Sequence, residues 1–171
     1  SAPDTGNIEL LHRFATPAQR TRWLVPLLYG QMRSAFAMSE PDVASSDPTN
    51  LQTTVRREGD GLVLSGRKWF ITGAAHPQCQ LLIVLCRNAD ADEAADPDSH
   101  HRHSMVLVPV GTPGVEVVRN IHVLHHHAPE GHCEIRLHNV RVPATALLGD
   151  WGQGFAMAQA RLGPGRVHHC M

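Results

Sequence analysis

Two stretches decide the reading of this chain: Phe36-Ala-Met-Ser-Glu-Pro-Asp-Val-Ala-Ser-Ser-Asp47 and Lys68-Trp-Phe-Ile-Thr-Gly-Ala74. In the first, Ser39 stands as a helix N-cap, Pro41 suits a first turn and Asp42 takes the reciprocal capping-box position. The spacing therefore predicts a short capped turn. Such a turn directs backbone N–H groups outward, where they suit an anion such as a pyrophosphate, and Ser45 and Ser46 add hydroxyls. An ordinary capped turn without a ligand fits the same residues. In the second stretch, period-two alternation predicts a half-buried strand, with Trp69 and Ile71 on one face and Phe70 and Thr72 on the other. A strand presenting an aromatic ring beside a hydroxyl can cover a flat heterocycle and hydrogen-bond its edge. Plain core packing fits it too.

Upstream of these stretches the chain reads as helical to about Arg33. Thr16-Pro17 forms an N-cap and first-turn pair, Trp23, Leu24, Leu27 and Leu28 recur at helical spacing, and Gly30 is a stop. From about Phe36 to Leu148 the pattern is that of strands. Val55 leads through Glu58-Gly-Asp-Gly61 to Leu62 and Leu64, a hairpin with Asp60-Gly61 at the bend. Leu81 to Cys86 is continuously apolar, which predicts a strand covered on both faces. Met105 to Val108, Val115 to Val118 and Cys133 to Val142 add strands. In the last, Cys133, Ile135 and Leu137 alternate with Glu134, Arg136 and His138, so one face should be wet. Asn88 to His103 reads as a solvated, mobile loop. After Gly152-Gln-Gly154 the pattern turns helical again and runs to Met171, like the opening of a truncated helix. Short strands with Gly/Pro turns between two helical ends predict an α+β fold with a β-barrel-like middle domain.

The 171 residues carry a formal net charge of −1 and 42% hydrophobic side chains, so neither a nucleic-acid footprint nor a charged tail is present. No apolar run reaches the roughly 18 residues of a membrane span, and the N-terminus lacks a signal-peptide layout. Cys79, Cys86, Cys133 and Cys170 are scattered without CxxC spacing, as expected of reduced thiols in an intracellular protein. Lys68 is the single lysine.

The residues quoted above resemble the acyl-CoA dehydrogenase family. FAMSEPDVASSD is similar to its flavin loop and KWFITGA to its second flavin strand, at the expected separation. The likeness extends to Pro109–Gly114, Val140-Arg-Val-Pro143 and Arg161–Met171, and to Ala2–Asn7 and Trp23–Leu28. These last pieces resemble most the subgroup of family members 10 and 11, whose larger eukaryotic forms carry this dehydrogenase as one of several domains.

The resemblance implies a division into residues 1–35 (end of an N-terminal helical domain), 36–150 (β-rich middle domain) and 151–171 (start of a C-terminal helical bundle). It implies FAD as cofactor, lined by Phe36, Ala37, Met38, Ser39, Ser45, Ser46, Phe70, Ile71 and Thr72. Ser39 would face the polar edge of the isoalloxazine ring, Ser46 the pyrophosphate and the CoA portion of the substrate, and Thr72 the flavin N5. Ser46, Gly163 and Arg166 would meet an acyl-CoA substrate, whose Cα–Cβ bond is oxidised with hydride transfer to the flavin. The base, a Glu or Asp of the family's C-terminal bundle, is expected beyond Met171, so no catalytic residue is assigned here and this chain by itself is expected to be inactive. An electron-transfer flavoprotein as acceptor and a homodimer or homotetramer are implied for the full-length protein. Departures are Phe70, where many relatives have Trp, and Gly163, where many have an acid. His122 to His127 also departs from the subgroup's turn, although Gly131-His132 is retained.

Rival readings are a non-catalytic acyl-CoA- or flavin-binding module, an acyl-CoA oxidase or flavin monooxygenase on the same fold, and a histidine-rich metal module. For the last, His100, His101 and His103, then His125, His126 and His127, then His168, His169 and Cys170 form three groups. Adjacent histidines in a strand point to opposite faces, so no metal ligand is assigned.

Overall fold

The structure, a computed structural model, describes residues 3–91, 98–126 and 128–170, and for 164–169 the backbone only. Helix α1 (Asp4–Phe14) is followed by α2 (Pro17–Gln19), a π-helical turn (Arg20–Leu24) and α3 (Val25–Leu28). Thr16 and Gln19 form the predicted N-cap reciprocally: each side chain accepts from the other's backbone N–H. Gly30, with φ of 67°, closes the helical section.

Strands β1 (Arg33–Ala37), β2 (Thr54–Glu58), β3 (Gly61–Thr72), β4 (Cys79–Asn88), β5 (His103–Pro109), β6 (Val115–Asn120), β7 (His132–Pro143) and β8 (Leu147–Leu148) form one sheet, and α4 (Gly154–His169) follows. The order is β6-β7-β3-β2-β4-β5-β8, with β1 also on β4. β1 runs parallel to the first half of β4, and β2 runs parallel to its end. The remaining pairs are antiparallel. The molecule is thus α+β with one large sheet, as the sequence predicts.

β4 is the dividing element. Leu82, Val84 and Cys86 face Leu62, Leu64, Ile135 and Leu137 in a core between sheet layers. Leu81, Ile83 and Leu85 face Leu10, Leu11, Trp23, Leu24 and Leu27 of the helices, with Met157 and Ala158 of α4. All six β4 side chains are fully buried, which is why the run is unbroken by polar residues. In β7, Cys133, Ile135 and Leu137 are inside, and Arg136 and His138 outside, as alternation requires. Glu134 departs from the wet face: Arg67 and Arg119 each donate to it at 2.8 Å and seal it from water. Those two hydrogen bonds hold its carboxyl below the usual carboxylate range.

Three local expectations are corrected. The β2–β3 hairpin pairs Glu58 with Gly61, so its loop is Gly59-Asp60 rather than Asp60-Gly61; Gly59 takes the left-handed φ of 61° that the first loop position demands. Ser39–Asp42 starts no helix: it is an irregular turn in which Ser45 Oγ accepts from Glu40 N at 2.7 Å and lies 3.1 Å from Glu40 O. The alternation in β3 breaks: Lys68 pairs with Ile135 but Ile71 with Cys133, so an extra residue is inserted and Phe70 takes φ of 52°.

The turn at residues 38–42 is tied to β3 by a buried ion pair. Lys68 Nζ donates to Glu40 Oε1 and to Met38 O, each at 2.8 Å. Glu40 also accepts from Gln52 N at 2.7 Å and Thr53 N at 2.9 Å. Burial alone would raise the Glu40 carboxyl, but the Lys68 charge and these hydrogen bonds bring it below its ordinary value. Between β4 and α4 lies another buried polar group, His103, 1% exposed. Burial pulls it down to about 4, reinforced by Lys68, Arg87 and Arg102 and only partly offset by the Ser99 backbone.

Two outcomes are expected. Lys68→Met leaves Glu40 charged without its cation and should cost about 3–5 kcal/mol in urea unfolding, and Lys68→Met with Glu40→Leu should recover part of it; a cost under about 1 kcal/mol removes the pair from its central place. His103 is neutral in the fold and protonates more easily when unfolded, so its stabilisation is complete above pH 6.5 and lost as pH falls toward about 4. That loss is on the order of 3 kcal/mol, and His103→Leu should flatten this part of the stability–pH curve; an unchanged curve would refute the assignment.

Candidate functional site

Three consecutive residues of β3 grip the 38–42 turn. Arg67 reaches Asp42 at 3.8 Å while holding Glu134, Lys68 holds Met38 and Glu40, and Trp69 N donates to Ser39 O at 3.0 Å. Residues about thirty positions apart are thereby fixed against one another, so the two stretches singled out by sequence form a single surface.

The bulge sets what that surface shows. With the alternation broken, Lys68 and Ile71 both point inward and are sealed, while Trp69 is half-buried and Phe70 is 44% exposed. Trp69 therefore does not share a face with Ile71 as regular alternation predicts. The Trp69 and Phe70 rings meet edge to face, centroids 4.8 Å apart. A bulky residue at positive φ carries a conformational cost, and here it accompanies the outward turn of the Phe70 ring. Thr72, half-buried, lies at the end of this strand, its Oγ1 3.0 Å from His132 Nδ1.

The other predicted residues differ in exposure and in what they touch. Phe36 and Met38 are half-buried and Ala37 is buried in the sheet core. The Arg161 guanidinium lies 4.0 Å from the centroid of Phe36, and burial lowers it to about 10. Arg161 Nε donates to Asn7 Oδ1 at 3.0 Å, Asn7 Nδ2 to Ser34 Oγ at 2.9 Å, and Ser34 N and Oγ to Asp4 Oδ1 at 2.9 and 2.8 Å. This chain of contacts fixes the loop's entry strand to α1 and α4. Ser39 is half-buried and Ser46 exposed. Ser45 is turned back into its own loop, with its hydroxyl on the Glu40 backbone. Ile71 can offer a ligand only its backbone. Gly163 lies on α4 with open space around it. The side chain of Arg166 lies outside the described residues.

Sequence reasoning missed His132, Arg161 and the roles of Glu40 and Lys68. The presence of only one lysine, set in a strand, was the available signal for the last. Among the described residues no three His, Cys, Asp or Glu side chains converge as metal ligands. His100 stacks on Phe155, His103 is buried, and His127 and the side chains of His168 and His169 lie outside the described residues. A cleft of about 440 Å³ between Gln19, Trp23, Arg141 and Pro143 shares none of the predicted residues.

An outward-turned aromatic ring and a strand-end hydroxyl, on a backbone fixed by the Lys68 ion pair and the Trp69 hydrogen bond, suit a flat heterocycle with a hydrogen-bonding edge such as a flavin. No helix among the described residues is long and apolar enough to cross a membrane.

Comparisons with known proteins bear on the same residues. The family model described as acyl-CoA dehydrogenase, middle domain, matches residues 35–140. The Mycobacterium tuberculosis protein named probable acyl-CoA dehydrogenase FadE2 is 58% identical over the whole chain, which spans 41% of that protein's length. Human acyl-CoA dehydrogenase family member 11 is 47% identical over 99% of the chain, which spans 22% of it. A solved Mycobacterium abscessus protein described as an acyl-CoA dehydrogenase superposes with a TM-score of 0.91 at 48% identity, over 99% of this chain and 40% of its own. A glutaryl-CoA dehydrogenase from Mycobacterium smegmatis, solved in complex with FADH2, gives a TM-score of 0.76 at 27% identity, over 94% and 37%. With its turn and bulge locked together inside the matched span, this chain belongs to the acyl-CoA dehydrogenase family and contains its middle domain.

Proposed function

We propose that the chain is the flavin-facing part of an acyl-CoA dehydrogenase that oxidises the Cα–Cβ bond of an acyl-CoA thioester to a trans-2-enoyl-CoA. The observation that supports this most is the grip of Arg67, Lys68 and Trp69 on the 38–42 turn, which builds one rigid aromatic-and-hydroxyl surface from two distant stretches. Residues 1–35 close an N-terminal helical domain, 36–150 form the middle domain, and 151–171 open a C-terminal bundle.

FAD is the cofactor of this reading, and when bound it supplies a two-electron acceptor for the substrate's β-hydride. The residues here bind and orient. The exposed Phe70 ring covers one part of the flat ring system and keeps water from it, with Trp69 fixing its angle. Thr72 sets its hydroxyl at N5. Phe36, Ala37, Met38 and Ser39 present backbone and the Ser39 hydroxyl to the polar edge, and Ser45 shapes the turn. Ile71 contributes backbone. Exposed Ser46 serves the pyrophosphate and, with Gly163 and Arg166, the CoA portion of the substrate. The proton from Cα goes to a carboxylate on a later helix of the family's bundle, so none of the acids described here is its acceptor. Rigid alignment of donor and acceptor is the contribution of this segment to the rate. An electron-transfer flavoprotein takes the electrons onward, and the protein works as a homo-oligomer.

The full-length protein, with this segment joined to the rest of its C-terminal bundle, should show a flavin absorption spectrum that bleaches on adding a saturated acyl-CoA; a full-length protein that takes up no flavin overturns the cofactor assignment. Thr72→Val keeps the shape and removes one hydrogen bond, so flavin should dissociate about fivefold to tenfold more readily. Equal affinity in both proteins removes Thr72 from the flavin edge.

A further inference from the structure

His132 is held where its ring can govern what Thr72 offers. The two residues face each other across β3 and β7, with Thr72 Oγ1 and His132 Nδ1 3.0 Å apart. The His132 backbone is fixed on both sides: its N–H donates to Asn120 Oδ1 at 2.7 Å and its carbonyl accepts from Ile121 N at 2.9 Å. Asn120 is anchored in turn by donating to Ala128 O at 3.0 Å. The preceding Gly131 has φ of 80°, and a Cβ there would come within 2.7 Å of Cys133 Sγ and 2.9 Å of Ala75 Cβ, so only glycine fits. Its carbonyl accepts from Gly73 N at 3.0 Å, one residue beyond Thr72. The ring is therefore delivered to Thr72 by a clamped backbone.

A threonine hydroxyl has one proton, and a neutral imidazole has one donor and one acceptor nitrogen. Two arrangements satisfy the contact. In one, Nδ1–H donates to Oγ1 and the Thr72 O–H points outward as a donor. In the other, bare Nδ1 accepts the Thr72 proton and Oγ1 shows only lone pairs outward, as an acceptor. The tautomer of His132 thus decides the polarity of the hydroxyl. N5 of an oxidised flavin accepts a hydrogen bond, whereas the reduced ring carries an N5–H that donates one.

We propose that His132 is a positioning residue that switches Thr72 between donor and acceptor, so that both redox states of a bound flavin meet a complementary hydroxyl. The inference rests on the reading that Thr72 faces N5. The switch removes one proton from Nδ1 and places one on Nε2, exchanged through water at the half-buried ring. The imidazole stays neutral and no electron moves through it.

The test is ¹⁵N NMR of histidine-labelled, flavin-loaded protein, with the His132 signals identified by their loss in His132→Gln. Nδ1 should be protonated with oxidised flavin and bare after reduction with dithionite. One tautomer in both states overturns the switch and leaves the flavin reading intact. Absence of flavin absorbance in the loaded sample overturns both. His132→Leu should weaken retention of oxidised and reduced flavin by about tenfold. His132→Gln, whose amide can present either nitrogen or oxygen, should restore most of it. Undiminished retention in His132→Leu overturns the proposal.

Discussion

The buried pair of Lys68 and Glu40 is the constraint on which the rest of the site depends. Both charges are removed from water, with 0% and 4% of their side chains exposed, so the pair is costly unless every remaining hydrogen-bonding position is filled. Here the Met38 carbonyl accepts a second hydrogen bond from Lys68, and the Gln52 and Thr53 amides donate to Glu40. A pair of apolar side chains in that space could match its stability. It could not dictate where the Met38 carbonyl points, and the turn's direction is what the neighbouring surface needs. Arg67 and Trp69, on either side, convert a point of attachment into a three-point mount.

The bulge in β3 follows from the same demand. A regular strand would send alternate residues to opposite sides, and Lys68 and the Ile71 core position would be out of step with β7. Inserting one residue restores both, and the mismatch is concentrated at Phe70. Local strain is accepted where it turns an aromatic ring outward.

Much of the architecture was legible because it is local. Thr16-Pro17, Gly30 and the apolar run from Leu81 to Cys86 each carry their cause within a few residues, and each takes the form that the sequence predicts. The family likeness singled out the two stretches that Arg67, Lys68 and Trp69 hold together. What was hidden is long-range or one residue deep. Lys68 looks like a solvated charge until Glu40, 28 positions away, is placed beside it. The Trp69-Phe70-Ile71 alternation is regular on paper, and only the partner strand reveals the extra residue. The hairpin loop shifted by one because Gly59 and Gly61 both suit a bend, and pairing with β7 claims the second. His132 lies 60 positions from Thr72 and carries no local mark of its role.

β4 serves two cores with one backbone, which gives it a divided inheritance. A change at Leu81, Ile83 or Leu85 is felt by the helices, whereas a change at Leu82, Val84 or Cys86 is felt by the opposing sheet layer. Neighbouring positions in this strand should therefore tolerate substitution independently of each other, each constrained by partners far away in the chain. Among descendants of this fold, odd and even sites of one strand should keep separate evolutionary company.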